Sequence, residues 1–334
     1  MRYFFAFIFS CLLPLASLGR TVMDRINQNL GNVGLDGVPK ITFSPGRPPV
    51  AAALGISLRI AHRITCHTDG TARSSWNIAG LRTCVWTDRL GNLTWAKPDG
   101  RNITFAKTPE GFASVRHNAI LNAADEDGRV HILDEHGWTW SYQDGFLQKV
   151  SRARAGEFVF TTDRESITGI TNIGRDGQGQ IVLLVEYSET GELQKLIFPA
   201  EKQQSEFHWS ADHCLMAVVD AGGKRTDFSY KNGLLAGWTS DKNSSILKWA
   251  SRANPAQAAA LGRPSVYLAE DSSFKYEHAR FDRTNILRVF TTNGEFVSET
   301  RSSSRGIAQR TPQGEIKGIY KRNSAGIVIL EAVK

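Results

Sequence analysis

One short pattern recurs along this chain and restricts its fold more than any other feature. It consists of an apolar residue, one intervening position, an aromatic, a few turn-forming residues, and a run that begins near a Leu. It appears as WTWSYQDGFLQKV from Trp138, VEYSETGELQKLIF from Val185, FHWSADHCLMAVV from Phe207 and FSYKNGLLAGW from Phe228. The central aromatics are Tyr142, Tyr187, Trp209 and Tyr230, and the last three are 22 and 21 residues apart. The first gap is 45 residues and contains a weaker copy, FVFTTDRESITGI, with Phe160. A fixed short period of this kind marks a repeat architecture.

The physical unit behind the period is a β-hairpin. About 20 residues supply two strands and their turns. A lone hairpin cannot bury its apolar face, so successive hairpins must pair edge to edge. Tyr or Trp suits the repeated position because it covers much apolar area and can aim its polar atom at a neighbouring backbone group. Gly suits the turn because it tolerates positive φ. Further copies follow the same scheme. VWTDRLGNLTWAKPDGRNITF carries Trp86 and Trp95 around turns at Gly91 and Gly100. LRVFTTNGEFV places Phe290 before Asn293-Gly294, and GIYKRNSAGIVIL places Tyr320 before Gly326. With Trp140, these aromatics form the expected pairing and core set, and Gly91, Gly100, Gly145, Gly191, Gly233, Gly294 and Gly326 form the expected turn set.

The aromatic–Gly-x-Leu-x-x-apolar pattern resembles the tyrosine–aspartate (YD) repeat of the bacterial RHS family over roughly residues 85–330. The Asp that usually follows the Tyr is replaced here by Gln143, Ser188, Ser210 and Lys231. The resemblance implies consecutive hairpins winding into a hollow β-shell, which in toxin-bearing members encloses a C-terminal toxin freed at an Asp-Pro-containing motif. This chain has no Asp-Pro dipeptide. The fold expected is therefore all-β: antiparallel hairpin repeats forming a continuous curved or spiral sheet, a partial RHS/YD-like shell. The rival is a β-propeller, since two such hairpins would make one four-stranded blade.

Around the repeats, residues 1–19 (MRYFFAFIFSCLLPLASLG) have the layout of a secretory signal peptide, and their apolar run is too short to span a membrane comfortably. No later segment is long and apolar enough to span, so no transmembrane segment is expected in the mature chain. Residues 20–60 read as a short helix, with Val22, Ile26 and Leu30 on one face, followed by a Gly/Pro-rich linker. Residues 61–84 form a segment leading into the sheet, and residues 85–334 the repeat domain. Export puts Cys66 and Cys84 in an oxidising compartment, where a disulfide between them is expected. Metal-ligand spacing is lacking around His67 and His213, so neither a metal nor a cofactor is expected.

Forty Lys and Arg against 33 Asp and Glu give a net charge of +7, spread along the chain. That allows loose attraction to polyanions without a specific nucleic-acid signature. Glycoside hydrolysis would need two facing carboxylates, but the dense acidic stretches, Asp125–Asp127 and Asp134–Glu135, fall at turns. No Gly-x-Ser-x-Gly elbow and no phosphate-cradling Gly-rich loop occurs. No catalytic residue is assigned. The function expected is that of an exported, non-enzymatic scaffold, periplasmic, cell-surface or secreted. Its expected partners are a polysaccharide or envelope component, or a protein or second copy at open sheet edges. The alternative is a carbohydrate-active enzyme or lectin on a propeller, with Trp76, Trp86 or Trp95 lining a groove.

Overall fold

A computed structural model describes residues 27–28, 30, 32–34, 37–39, 41–43, 59–66, 71–97, 102–108, 111–113, 120–122, 128–134, 136–153, 156–164, 166–241, 243–252, 264–281, 283–322 and 328–333. The leader, most of the expected helix and linker, Gly100, Gly326 and the Cys66 side chain lie outside the described residues. Two compact units result, one from the described parts of 42–61 and 76–227, the other from those of 1–41, 62–75 and 228–334.

The first unit is a run of antiparallel strands. These are β4 (Cys84–Thr87), β5 (Leu93–Ala96), β6 (Asn102–Thr108), β7 (Gly111–Ala113), β8 (Ile120–Asn122), β9 (Arg129–Leu133) and β10 (Thr139–Gln143). The run continues through β11 (Phe146–Arg152), β12 (Gly156–Asp163), β13 (Ser166–Ile173), β14 (Gly179–Tyr187), β15 (Leu193–Phe198), β16 (Gln203–Trp209) and β17 (Leu215–Val219). From β8 to β17 every strand pairs with its sequence neighbours in one sheet. The strands are not grouped into separate four-stranded blades, so the propeller reading is set aside. Preceding them in the chain are β1 (Thr42–Phe43), β2 (Arg59–Cys66) and β3 (Ala72–Ala79).

The sheet meets its own beginning without closing. Phe146, the first residue of β11, pairs with Cys84 of β4, while Lys149–Arg152 of the same strand pair with β12. The Val85 amide donates to the Gly145 carbonyl (3.0 Å), and the Ile167 amide donates to the Leu81 carbonyl (2.9 Å). One end of β11 therefore binds the start of the sheet and the other end carries it onward.

A bulge recurs in these hairpins and explains a spacing that simple alternation cannot. Side chains at i and i+3 of a regular strand face opposite sides. Yet Leu147 and Val150, Ile167 and Ile170, Leu193 and Leu196, and Leu215 and Val218 are all buried. In each case the register slips by one residue: Tyr142 faces Leu147 but Ser141 faces Lys149, and Tyr187 faces Leu193 but Glu186 faces Lys195. The same slip occurs at Thr161/Thr162 and at His208/Trp209. One unpaired residue between the two apolar positions turns both to the same side and bends the strand.

Two kinds of loop recur between the described strands. The longer kind spans Asp88–Asn92, Asp134–Trp138, Gly174–Gln178, Ser188–Glu192, Ser210–Cys214, Asp220–Lys224 and Thr291–Glu295. In each, the first amide donates to the last carbonyl and the fourth amide donates back to the first carbonyl. The fourth residue has positive φ: Gly91, Gly137, Gly177, Gly191, His213, Gly223 or Gly294. Where the first residue has a polar side chain, it accepts loop amides. Asp134 Oδ1 accepts from His136 and Trp138 (both 2.9 Å), and Asp220 Oδ1 accepts from Gly222 and Lys224 (both 2.9 Å). Ser188, Ser210 and Thr291 each accept the last amide through their hydroxyls. Ser and Thr thus fill the Asp position with a shorter side chain, a substitution common in turns. The shorter kind has two residues with positive φ, Asp144-Gly145 and Asn232-Gly233. There Gln143 is still a ladder residue, opposite Phe146, so the acidic or amide group falls one place later.

The second unit contains β18 (Arg225–Lys231) from Phe228 onward, β19 (Leu234–Ser240) and β20 (Asn243–Ile246). After these comes an eight-stranded sheet in chain order. Its strands are β21 (Lys248–Ser251), β22 (Val266–Glu270), β23 (Phe274–Phe281), β24 (Thr284–Thr291), β25 (Phe296–Ser302), β26 (Gly306–Thr311), β27 (Gly314–Arg322) and β28 (Val328–Val333). A row of alternating charge crosses it: Glu277 faces Arg288, Arg288 faces Glu299, Glu299 faces Arg310, and Arg310 faces Glu315. Arg288 Nε donates to Glu299 (2.7 Å), and chiefly through this bond it holds the Glu299 carboxyl below its usual range. The amino-terminal segment packs on the β22–β23 hairpin. Asp271 Oδ2 accepts from Asn32 Nδ2 (3.0 Å) and the Tyr276 hydroxyl (2.8 Å), and the Leu268 amide donates to the Gly37 carbonyl (2.9 Å).

Candidate functional site

The repeated aromatics direct their polar atoms into the scaffold. In the first unit, Trp95 and Trp140 are buried with ring centroids 5.6 Å apart. Trp95 Nε1 donates to the Tyr142 hydroxyl (2.6 Å), which also bonds Thr83 Oγ1 (2.7 Å), while Thr83 donates to the Ala96 carbonyl (2.7 Å). Trp140 Nε1 donates to Asp134 Oδ2 (2.8 Å). Tyr187 and Trp209 reach one strand back: the Tyr187 hydroxyl donates to the Ile167 carbonyl (3.2 Å), and Trp209 Nε1 donates to the Leu193 carbonyl (2.7 Å). Burial pushes the Tyr187 phenol up to about 12 and the Tyr142 phenol further from its ordinary value. Both therefore remain neutral donors at any physiological pH.

The other expected positions vary in exposure. Phe160 is buried, while Tyr230, Phe290 and Tyr320 are half-buried. Phe290 packs edge-on to Phe296 at 6.1 Å. Trp86 is 43% exposed, whereas Trp95 is fully buried and unable to line a groove, which corrects the expectation for that residue. Gly91, Gly145, Gly191, Gly233 and Gly294 all have positive φ. Among the described residues no disulfide is present, and the expected Cys66–Cys84 bond, which needs the Cys66 side chain, lies outside them.

Ser188, Glu192 and His213 come together at adjacent loop tips, but not as a relay. His213 Nδ1 is 2.6 Å from Glu192 Oε1, and Ser188 Oγ donates to the other carboxylate oxygen (3.3 Å). The carboxylate separates hydroxyl from imidazole, so the three do not form a serine–histidine pair.

The second unit holds a cleft of about 450 Å³ that the repeat pattern did not single out. Its origin is a parting of strands. β19 pairs with β20 at Gly237–Ile246, and the Leu247 amide still donates to the Ala236 carbonyl (2.8 Å). The chain then leaves β19, and β21 pairs with β22 instead. The gap is lined by Lys231 and Asn232 at the β18–β19 corner and by Lys248, Trp249 and Ser251 of β21. Trp249 lies 19 residues beyond Tyr230, close to one repeat period, which is the signal in the sequence that could have found it. Its Nε1 donates to the Leu235 carbonyl (2.7 Å), and its ring centroid is 6.2 Å from that of His62. Behind it, His62 Nε2 is 2.8 Å from Ser74 Oγ, and burial pushes the imidazole down to about 4. The Ser74 amide donates to the Gly233 carbonyl (2.8 Å), and Ser74 Oγ accepts the Leu235 amide (2.7 Å). Lys248 Nζ pairs with Glu270 at 2.9 Å.

No protein-family model matches the chain, and no curated protein matches it. Among solved structures it is similar to the TcdB2-TccC3 complex, at 10% identity and TM-score 0.32, over 79% of this chain and 19% of that one. A second TcdB2-TccC3 structure, with TEV, gives 12% identity and TM-score 0.28 over 81% of this chain and 17% of that one. The chain spans less than a fifth of the length of either, and at these scores the likeness is weak.

Proposed function

We propose that this chain is an exported, non-enzymatic scaffold of degenerate YD-type hairpin repeats, acting by binding polysaccharide or protein through its surface. The observation that carries the reading is the destination of the repeated aromatics' polar atoms. Those of Trp95, Tyr142, Trp140, Tyr187 and Trp209 are bound to backbone or buried side chains of their own sheet. The motif then serves to hold hairpins together, and contact with partners falls to strand faces, loop tips and clefts. The YD resemblance supports the same reading through its turns, where Ser188, Ser210 and Thr291 perform the amide-capping task of the aspartate. A glycan array probed with the purified protein, run beside a hydrolase and lyase screen, tests it. Saturable binding without turnover is expected. Turnover that depends on a named side chain would overturn the non-enzymatic reading, and an amino terminus uncleaved in exporting cells would overturn export.

A further inference from the structure

Resting on the polysaccharide-binding reading, we propose that the cleft beside Trp249 takes an acidic saccharide. The Trp249 ring is the platform for a pyranose face, and Lys231 and Lys248 are the cationic partners of the sugar's carboxylate. Three features of the site argue for this ligand class. The first is chemical. An indole face offers apolar area and a negative quadrupole to the C–H groups of a sugar ring, while the Asn232 amide and Ser251 hydroxyl at the same cleft suit its hydroxyls.

The second is charge. Lys231 is exposed at the corner, and Lys248 shares its ammonium with a half-buried Glu270 in an exposed pair that a ligand carboxylate can enter. A neutral sugar would offer the exposed Lys231 ammonium no opposite charge. A single strand of nucleic acid is served by several stacking rings along a basic groove, and one ring between two lysines does not make such a track.

The third is rigidity. The indole is fixed at its edge by the Leu235 carbonyl and backed by His62, and the facing corner is tied down twice by Ser74. A wall already held in place loses little freedom on binding. The cleft's 450 Å³ also falls within the usual range for ligand pockets, about 300–1,000 Å³.

The test uses the full chain and three probes, hexagalacturonate, maltohexaose and an oligothymidylate, followed by calorimetry and tryptophan fluorescence. Hexagalacturonate is expected to bind, with an affinity that falls as salt rises. Lys231→Gln, an exposed change that leaves the urea midpoint in place, weakens it by about tenfold or more, the scale of one lost charge-assisted contact. Trp249→Phe retains an apolar ring and also weakens it. If hexagalacturonate binds wild type and both variants equally, the cleft assignment falls while polysaccharide binding stands. Equal affinity for maltohexaose overturns the acidic specificity. Oligothymidylate binding with the same dependence on Lys231 overturns the ligand class. No binding of hexagalacturonate to the wild-type protein overturns this proposal, while the glycan array decides the reading beneath it.

Discussion

His62 gives the fold a built-in sensitivity to acid whose size follows from its position. The ring is 5% exposed, bonds Ser74 Oγ through Nε2 and packs against Trp249. Burial lowers its pKa from 6.5 to about 4. The folded protein thus holds the neutral imidazole, whereas the unfolded chain accepts a proton once the pH drops below about 6.5. Stability from this site is whole above that pH and declines as the pH falls toward 4. A tenfold difference in proton affinity between the folded and unfolded chain is worth roughly 1.4 kcal/mol. The loss therefore amounts to about 2 kcal/mol at pH 5 and about 3 kcal/mol at pH 4. The comparison is between wild type and His62→Gln, which keeps a partner for Ser74 and cannot titrate. Urea unfolding is read by tryptophan fluorescence at pH 7 and pH 5. Carboxylates titrate in both proteins and cancel in the difference. The wild type is expected to lose about 2 kcal/mol relative to the variant between the two pH values. A difference that stays constant would mean that the imidazole is not held neutral, and would refute the role given to its burial.

Three further outcomes are expected. Tyr142→Phe strands the buried Trp95 indole N–H and costs about 1–3 kcal/mol in urea unfolding; an unchanged midpoint would refute the role given to that hydroxyl. Gly145→Ala should cost about 3 kcal/mol, because a Cβ there would sit 2.8 Å from the Val85 carbonyl oxygen in addition to the positive φ. Gly191→Ala, with open space and only the positive φ to oppose it, should cost about 1–2 kcal/mol, so equal losses would contradict the close approach. Asp134→Ala removes the acceptor for two amides and the Trp140 indole, with an expected loss of about 3 kcal/mol. A thermal melt within a degree of wild type would overturn that assignment.

Hairpin order was legible in the sequence because the signal is local: an aromatic, a turn and a Leu within a dozen residues already define two paired strands. The details hidden in that signal were not. Tyr142 and Tyr187 occupy the same place in the pattern, yet one precedes a two-residue loop and the other a five-residue loop. The difference rests on whether the residue after the aromatic stays in the ladder, as Gln143 does, or caps the loop, as Ser188 does. Asn293-Gly294 reads as a two-residue turn, but only Gly294 has positive φ, because Thr291 accepts the Glu295 amide and opens the longer loop. Leu193 and Leu196 read as an imperfect alternation until the extra residue between them is seen. The cleft was least legible. It depends on where the chain leaves β19 after Leu247, a choice made by distant pairing partners and not by nearby residues.

The pairing of each strand with its sequence neighbours sets the quantum in which such a chain tolerates length changes. Removing one residue from a regular stretch, Glu206 for example, would make the buried Ser205 and Phe207 adjacent, set them on opposite sides and turn one of them toward water. Excising a whole hairpin would leave every surviving strand in phase with its new neighbour. A loss of twenty residues is therefore gentler on this architecture than the loss of one.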